Sequence, residues 1–183
     1  MYIPIILGTG RSDRQSEKVA HYVHVRAESF GQFDTELIDV REYAAQFTIP
    51  PWEENAATKP WRDIAAKADG FIIVAPEYNH GYPGELKLLL DQAYEEYFDK
   101  PVALCGVSSG QFSGVRLNFA LQDVWFTMKM VPAGATFFGN VKELFDEHEN
   151  ILDETYNTRI DDMLKRLLAY AKALKNVRDD LSK

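Results

Sequence analysis

The amino-acid sequence predicts a three-layer α/β sandwich built on a parallel sheet of about five strands. Two observations carry this. Short, continuously apolar runs alternate with longer stretches of helical period along the chain. The runs are apolar at every position rather than at every second one, as strands covered on both faces must be. Strands alternating with helices imply βαβ units. No internal repeat, low-complexity tract or linker divides the 183 residues, so a single domain over 1–183 is expected.

The elements follow in order. Residues 3–7 form an apolar run ending at Gly8, a first strand in which Pro4 must sit at the very start, because it cannot donate to a ladder. From Ser16 a helix is marked by Val19, Ala20, Val23, Ala27 and Phe30 at steps of three or four. A second strand is expected over 35–40. Residues 41–60 are irregular, with Pro50-Pro51 forbidding a helix through them, and 61–68 reads as a short helix. The most apolar stretch, 70–75, is a third strand stopped by Pro76. A helix over 84–97 carries Leu86, Leu89, Leu90 and Ala93 on one side. Residues 102–107 form a fourth strand, followed by a Ser/Gly loop (108–114) and a helix over 115–128. Residues 131–138 are a last strand broken by Pro132 and Gly134, and 155–176 is a closing helix with Ile160, Met163, Leu164, Leu167, Leu168, Ala171 and Leu174 along one stripe.

Composition narrows the function. The net charge of −8 argues against nonspecific nucleic-acid binding, which rests on Lys and Arg neutralising phosphates. No apolar run approaches the ~20 residues of a bilayer-spanning helix. The chain opens directly on Tyr2-Ile3-Pro4-Ile5-Ile6-Leu7-Gly8, without a basic leader, so a cytoplasmic protein free of membrane is expected. A lone Cys105 excludes an internal disulfide. No Cys-His pair, no paired histidines at metal-ligand spacing and no G-x-S-x-G elbow occur, so neither a metal nor a protein nucleophile is expected.

In open parallel sheets ligands bind beyond the carboxyl ends of the strands, and the loops after the first, third and fourth strands are the unusual segments here. The first, Gly8-Thr9-Gly10-Arg11-Ser12-Asp13-Arg14-Gln15-Ser16, is a glycine-opened turn feeding a helix N-terminus. Such a turn offers backbone N–H groups at the positive end of a dipole. Thr9, Ser12 and Ser16 add hydroxyls, and Arg11 and Arg14 add charge, which suits a phosphate; the pattern is neither a P-loop nor G-x-G-x-x-G. Read without a ligand, it is an ordinary βα turn with Ser16 as N-cap. The second, Pro76-Glu77-Tyr78-Asn79-His80-Gly81-Tyr82-Pro83-Gly84, is stiff and aromatic, with Asn79 and His80 N–H groups placed for the polar edge of a heterocycle. The third, 106–114, is rich in Ser and Gly, and small residues let backbone approach a planar ligand.

These loops together resemble the NADPH-dependent FMN reductase family, relatives of bacterial quinone, chromate and azo-dye reductases. Residues 8–20 are similar to that family's phosphate loop in its longer form. The stretch 76–87 resembles the motif PEYN-x-x-x-PG-x-LK, and 106–114 resembles the Ser/Gly loop beside the flavin ring. Thr9 stands where Ser is common, Gly81 replaces a frequent Ser and Leu88 a frequent Asn. The resemblance implies a flavodoxin-like sandwich of strand order 2-1-3-4-5, with FMN as cofactor and NAD(P)H as co-substrate. Thr9, Arg11, Arg14 and Ser16 would hold the phosphate. Pro76, Glu77, Tyr78, Asn79 and His80 would line the ring, and Ser108, Ser109 and Gly110 would flank its far edge. Hydride would pass from NAD(P)H to flavin N5, then electrons to a quinone, flavin, dye or metal-ion acceptor. The resemblance also implies a homodimer or homotetramer, for which the final helix and Tyr94-Glu95-Glu96-Tyr97-Phe98 are candidate interfaces. The alternative is an FMN-binding electron carrier without nicotinamide turnover.

Overall fold

A computed structural model describes residues 1–181. In chain order it contains β1 (Ile5–Leu7), α1 (Ser16–Phe30), β2 (Leu37–Asp39), α2 (Val40–Tyr43), α3 (Lys59–Lys67), β3 (Phe71–Pro76) and α4 (Gly84–Leu90). A 3₁₀ turn (Glu95–Tyr97), β4 (Pro101–Val107), α5 (Val115–Thr127), β5 (Val131–Phe138) and α6 (Thr155–Leu181) follow. The strands form one parallel sheet in the order β2-β1-β3-β4-β5. The order reverses at β1, which pairs with β2 on one side and β3 on the other, so a crevice opens where their loops diverge.

Each face of the sheet carries its own core. Ile5, Leu7, Ile72, Val74, Ala103 and Cys105 pack under α1 and α6, and Ile6, Ile73, Ala75 and Leu104 pack with residues of α3, α4 and α5. The side-chain period of two thus sends alternate residues of one strand into different cores, which is why the strands read as unbroken apolar runs. The buried stripe of α6 (Ile160, Met163, Leu164, Leu167, Leu168, Ala171) lies in the first of these cores. That stripe is therefore spent inside the chain and is not an interface. Among the described residues no helix is long and apolar enough to cross a membrane.

Four elements differ from their sequence reading. The ladder of β1 starts at Ile5 because Pro4 lacks an N–H; its carbonyl still accepts from Ile72 (3.0 Å). β2 ends at Asp39, whose carboxylate accepts the Arg41 N–H (2.9 Å) and caps the four-residue α2, missed in the irregular 41–60 stretch. α4 stops at Leu90 instead of running to Tyr97. Tyr97 turns back into the core, where its hydroxyl donates to the Leu90 carbonyl (3.0 Å) and accepts from Trp61 Nε1 (2.8 Å). The helix end is thus satisfied by a residue that an extended helix would have carried away. Pro132 and Gly134 do not break β5. Ala133 is skipped in the pairing with Val102 and Ala103, a bulge tolerated on an edge strand.

Candidate functional site

The loops leaving β1, β3, β4 and β5 meet around a cavity of about 520 Å³. Its walls are Arg11, Asp13, Arg14, Gln15 and Ser16 on one side and Pro76, Glu77 and Tyr78 on the next. Val107, Ser108, Ser109 and Gly110 close it, together with Val141 and Lys142 from beyond β5. A wider groove of about 1310 Å³ runs beside β5 and α6. That groove is the open edge of the sheet, and the loop chemistry lies in the smaller cavity. Of the residues singled out in the sequence, Thr9 lies buried beneath the wall, and Asn79 and His80 occupy the exposed turn after Tyr78.

The first loop is anchored from below. Thr9 is fully buried; its hydroxyl lies 3.2 Å from the Tyr78 hydroxyl and accepts the Arg11 N–H at 3.3 Å. Arg41, from α2, donates to the carbonyls of Gly10 (3.2 Å) and Arg11 (2.5 Å). Because a trans peptide sets N–H opposite C=O, this clamp turns the N–H groups of Arg11 and Ser12 away from Arg41. A Cβ on Gly10 would lie 3.3 Å from Glu85 Cγ, so the turn fits closely against α4.

Arg14 departs from its expected role. Its guanidinium is buried, with Nη1 donating to the Thr9 carbonyl (2.6 Å) and Asp39 Oδ1 (2.8 Å), and Nη2 donating to Asp39 Oδ2 and to Glu17 (3.1 Å). The Asp39 hydrogen bonds hold the arginine more firmly protonated than usual against its own desolvation. Burial would raise the Asp39 carboxyl, but the bonds from Arg14 and the Arg41 N–H win and hold it below its ordinary value. The forked grip expected of Arg14 is thus turned inward, and only its Nε–H is left without a partner. Arg11 keeps the exposed position, its guanidinium 5.8 Å from the centre of the Tyr78 ring.

Ser16 does not act as the N-cap. Gln15 holds that position without a side-chain cap, and Ser16 opens α1 with a buried hydroxyl that has no hydrogen-bond partner among the described residues. A buried hydroxyl without a partner is costly in a dry interior; here it sits in the cavity wall at the positive end of a helix.

The second loop is a two-residue turn. Tyr78 and Gly81 exchange both backbone hydrogen bonds (3.0 and 2.9 Å), with Asn79 at φ 49° and His80 at φ 65°. Positive φ at both central residues is the type I′ geometry, a strained choice for histidine. The Asn79 and His80 N–H groups have no partner among the described residues. Glu77 is occupied: its N–H bonds Val107 O (3.0 Å), and its carboxylate accepts from the Arg116 backbone and guanidinium (both 3.2 Å) at the start of α5.

The Ser/Gly loop is fixed, not a loose connection. Ser108 Oγ accepts the Gly110 N–H (3.0 Å), and Val141 and Asn140 donate to the Ser108 and Gly110 carbonyls (3.2 and 3.3 Å). Gly114 has φ 79°, and a Cβ there would lie 2.8 Å from the Val107 nitrogen. Asp39, Arg41, Val141 and Lys142 were missed in the sequence because they follow β2 and β5, whose loops show no unusual composition. The one available signal was that these strands end on the same edge.

The donor set suits FMN: a phosphate at the open helix N-terminus with Ser16 and Arg11, a ring against the Tyr78–Gly81 turn, and small residues opposite. The volume also falls within the ~300–1,000 Å³ of ordinary cofactor pockets. The family model for NADPH-dependent FMN reductase matches residues 1–143. The chain belongs to the NADPH-dependent FMN reductase family. With that membership, FMN is the cofactor, NAD(P)H the co-substrate and the protein an oxidoreductase, which decides against a bare electron carrier. An NAD(P)H-dependent FMN reductase of Schizosaccharomyces pombe is 32% identical over 136 residues, covering 70% of this chain and 67% of the relative. An NADPH azoreductase of a Bacillus species is 29% identical, covering 99% of this chain and 98% of the relative. The flavoenzyme NAD(P)H:(acceptor) oxidoreductase of Paracoccus denitrificans superposes with a TM-score of 0.70 at 17% identity, covering 96% of this chain and 97% of that one, and shares the flavodoxin-like fold.

Proposed function

We propose that this reductase delivers the electrons of NAD(P)H to a planar conjugated acceptor, such as a quinone, an azo dye or free flavin, which takes the nicotinamide's place over the flavin in a ping-pong cycle. FMN, when bound, supplies the hydride-accepting ring and the electron storage. The protein's part is to bind, orient and expose it. Arg11, Ser16 and the first turn of α1 hold the phosphate, and Arg41 and the Arg14–Asp39 pair keep that loop in shape. The Asn79 and His80 N–H groups meet the polar edge of the ring. The Ser108–Gly110 backbone lies close because it carries little side chain. The observation that carries this reading is the meeting of the loops in one cavity whose wall holds the unpartnered Ser16 hydroxyl.

A planar acceptor is favoured over a metal ion by the aromatic surroundings. The Tyr78 ring lines the cavity itself, and Phe112, 58% exposed, lies in the Ser/Gly loop that closes it. The names of the similar reductases, for FMN and azo compounds, support the same class. A homo-oligomer also belongs to this proposal. It is supported by Phe47, Trp52, Phe119 and Phe126, which are 65–86% exposed, and by the outward face of α6, where Tyr170, Val177 and Leu181 are exposed.

The test is anaerobic. The FMN-loaded protein is given NADPH or NADH, then a quinone or azo dye, and the oxidised-flavin absorbance is followed. The band should bleach and then return. A chain that takes up no FMN, or whose flavin stays oxidised with both nucleotides, ends the proposal.

A further inference from the structure

We infer that Lys142, in the turn after β5, is the second cation of the flavin-phosphate site, the task the sequence gives to Arg14. This rests on the flavin reading above. A phosphate monoester carries close to two negative charges at neutral pH, and its strongest contacts are charge-assisted. The charge of Arg14 is matched by Asp39 and Glu17, Arg116 is paired with Glu77, and Arg41 is taken up by the Gly10 and Arg11 carbonyls. Among the described cavity-wall cations, Arg11 and Lys142 have no acidic partner. The exposed Asp13 is the opposing charge in the same wall.

The fold holds Lys142 at this wall. Val141 is buried and donates to Ser108 O, and Asn140 donates to Gly110 O, so the turn is tied to the Ser/Gly loop on both of its preceding residues. Lys142 itself is exposed and has no hydrogen bond or ion pair among the described residues to give up on binding, so its ammonium swings on a four-carbon stem without breaking a contact there. The same cavity is lined by Ser16, whose buried hydroxyl lacks a partner among the described residues and would donate to a phosphate oxygen. A phosphate there faces the helix N-terminus and Arg11 on one side and Lys142 on the other.

The test is flavin titration of the apoprotein with FMN and with riboflavin, at two salt concentrations. Lys142→Gln should weaken FMN about three- to tenfold, as loss of one solvent-facing charged contact does. Riboflavin affinity and thermal midpoint should be unchanged, the salt dependence of FMN binding should flatten, and Lys142→Arg should restore it. Equal loss for both flavins, or none, overturns the inference. So does a changed NADPH-to-NADH KM ratio with FMN binding intact, because Lys142 would then read the nicotinamide nucleotide's 2′-phosphate. Failure of the flavin reading appears separately, in an unmutated chain that takes up neither flavin, and removes this inference with it.

Discussion

Arg11 and Arg14 lie three positions apart in one loop, but Arg14 is bonded inward and Arg11 stays exposed, so the two should separate on mutation. Replacing Arg14 by Ala removes both bonds to Asp39, the bond to Glu17 and the one to Thr9 O. The arginine side chain is 2% exposed, whereas Asp39 is 23% and Glu17 45% exposed. Breaking a fully buried ion pair costs about 3–5 kcal/mol, but water reaches both stranded carboxylates here, so about 2–3 kcal/mol is expected. With a urea dependence of about 1–3 kcal/mol per molar, the midpoint of the flavin-free protein should fall by about 0.7–3 M. Arg11→Ala removes an exposed side chain without an ion pair and should leave stability within about 0.5 kcal/mol. It should instead weaken FMN about tenfold or more, one charged hydrogen bond, while sparing riboflavin. Urea unfolding of the apoproteins and fluorescence titration with both flavins read the two effects. An Arg14→Ala midpoint equal to wild type, or an Arg11→Ala protein that weakens both flavins alike, would refute this division of labour.

Two further outcomes follow from named contacts. Asp39 is held below its ordinary carboxylate value, so the stability it contributes is present at neutral pH and lost as pH falls through that lowered value, below about pH 4. The gap between wild-type and Asp39→Asn urea midpoints should therefore be wide at pH 7 and close in acid; a gap independent of pH would contradict it. Gly114→Ala places a Cβ against backbone at positive φ and should cost at least about 2 kcal/mol, whereas Gly81→Ala, whose Cβ meets only Tyr78 O at 3.7 Å, should be nearly neutral. Similar melting shifts for the two would show that the strain at Gly114 is absent.

The sequence by itself determined the layers and which loops share one edge of the sheet. Strands such as 71–76 and 101–107 are buried on both faces, so their composition alone announces them, and an alternating strand–helix pattern leaves one sheet edge for ligand loops. It also determined the chemistry of those loops, because the residue types that bind phosphate and flat rings are written locally, in 8–16, 76–84 and 106–114. What only the tertiary structure decided is which side chains of those loops stay open to the cavity and which are taken up by partners elsewhere in the fold. Arg14 looks as available as Arg11 in one dimension, and it becomes structural because β2 ends at Asp39, 25 residues away, directly beneath it. Tyr97 ends α4 for the same kind of reason, being drawn to Trp61 across 36 residues. Lys142 and Arg41 reach these loops from the segments that follow β5 and β2, whose own sequences carry no signal. A charge or hydroxyl is defined by its partner, and partners distant in the chain meet only when the sheet brings its edges together.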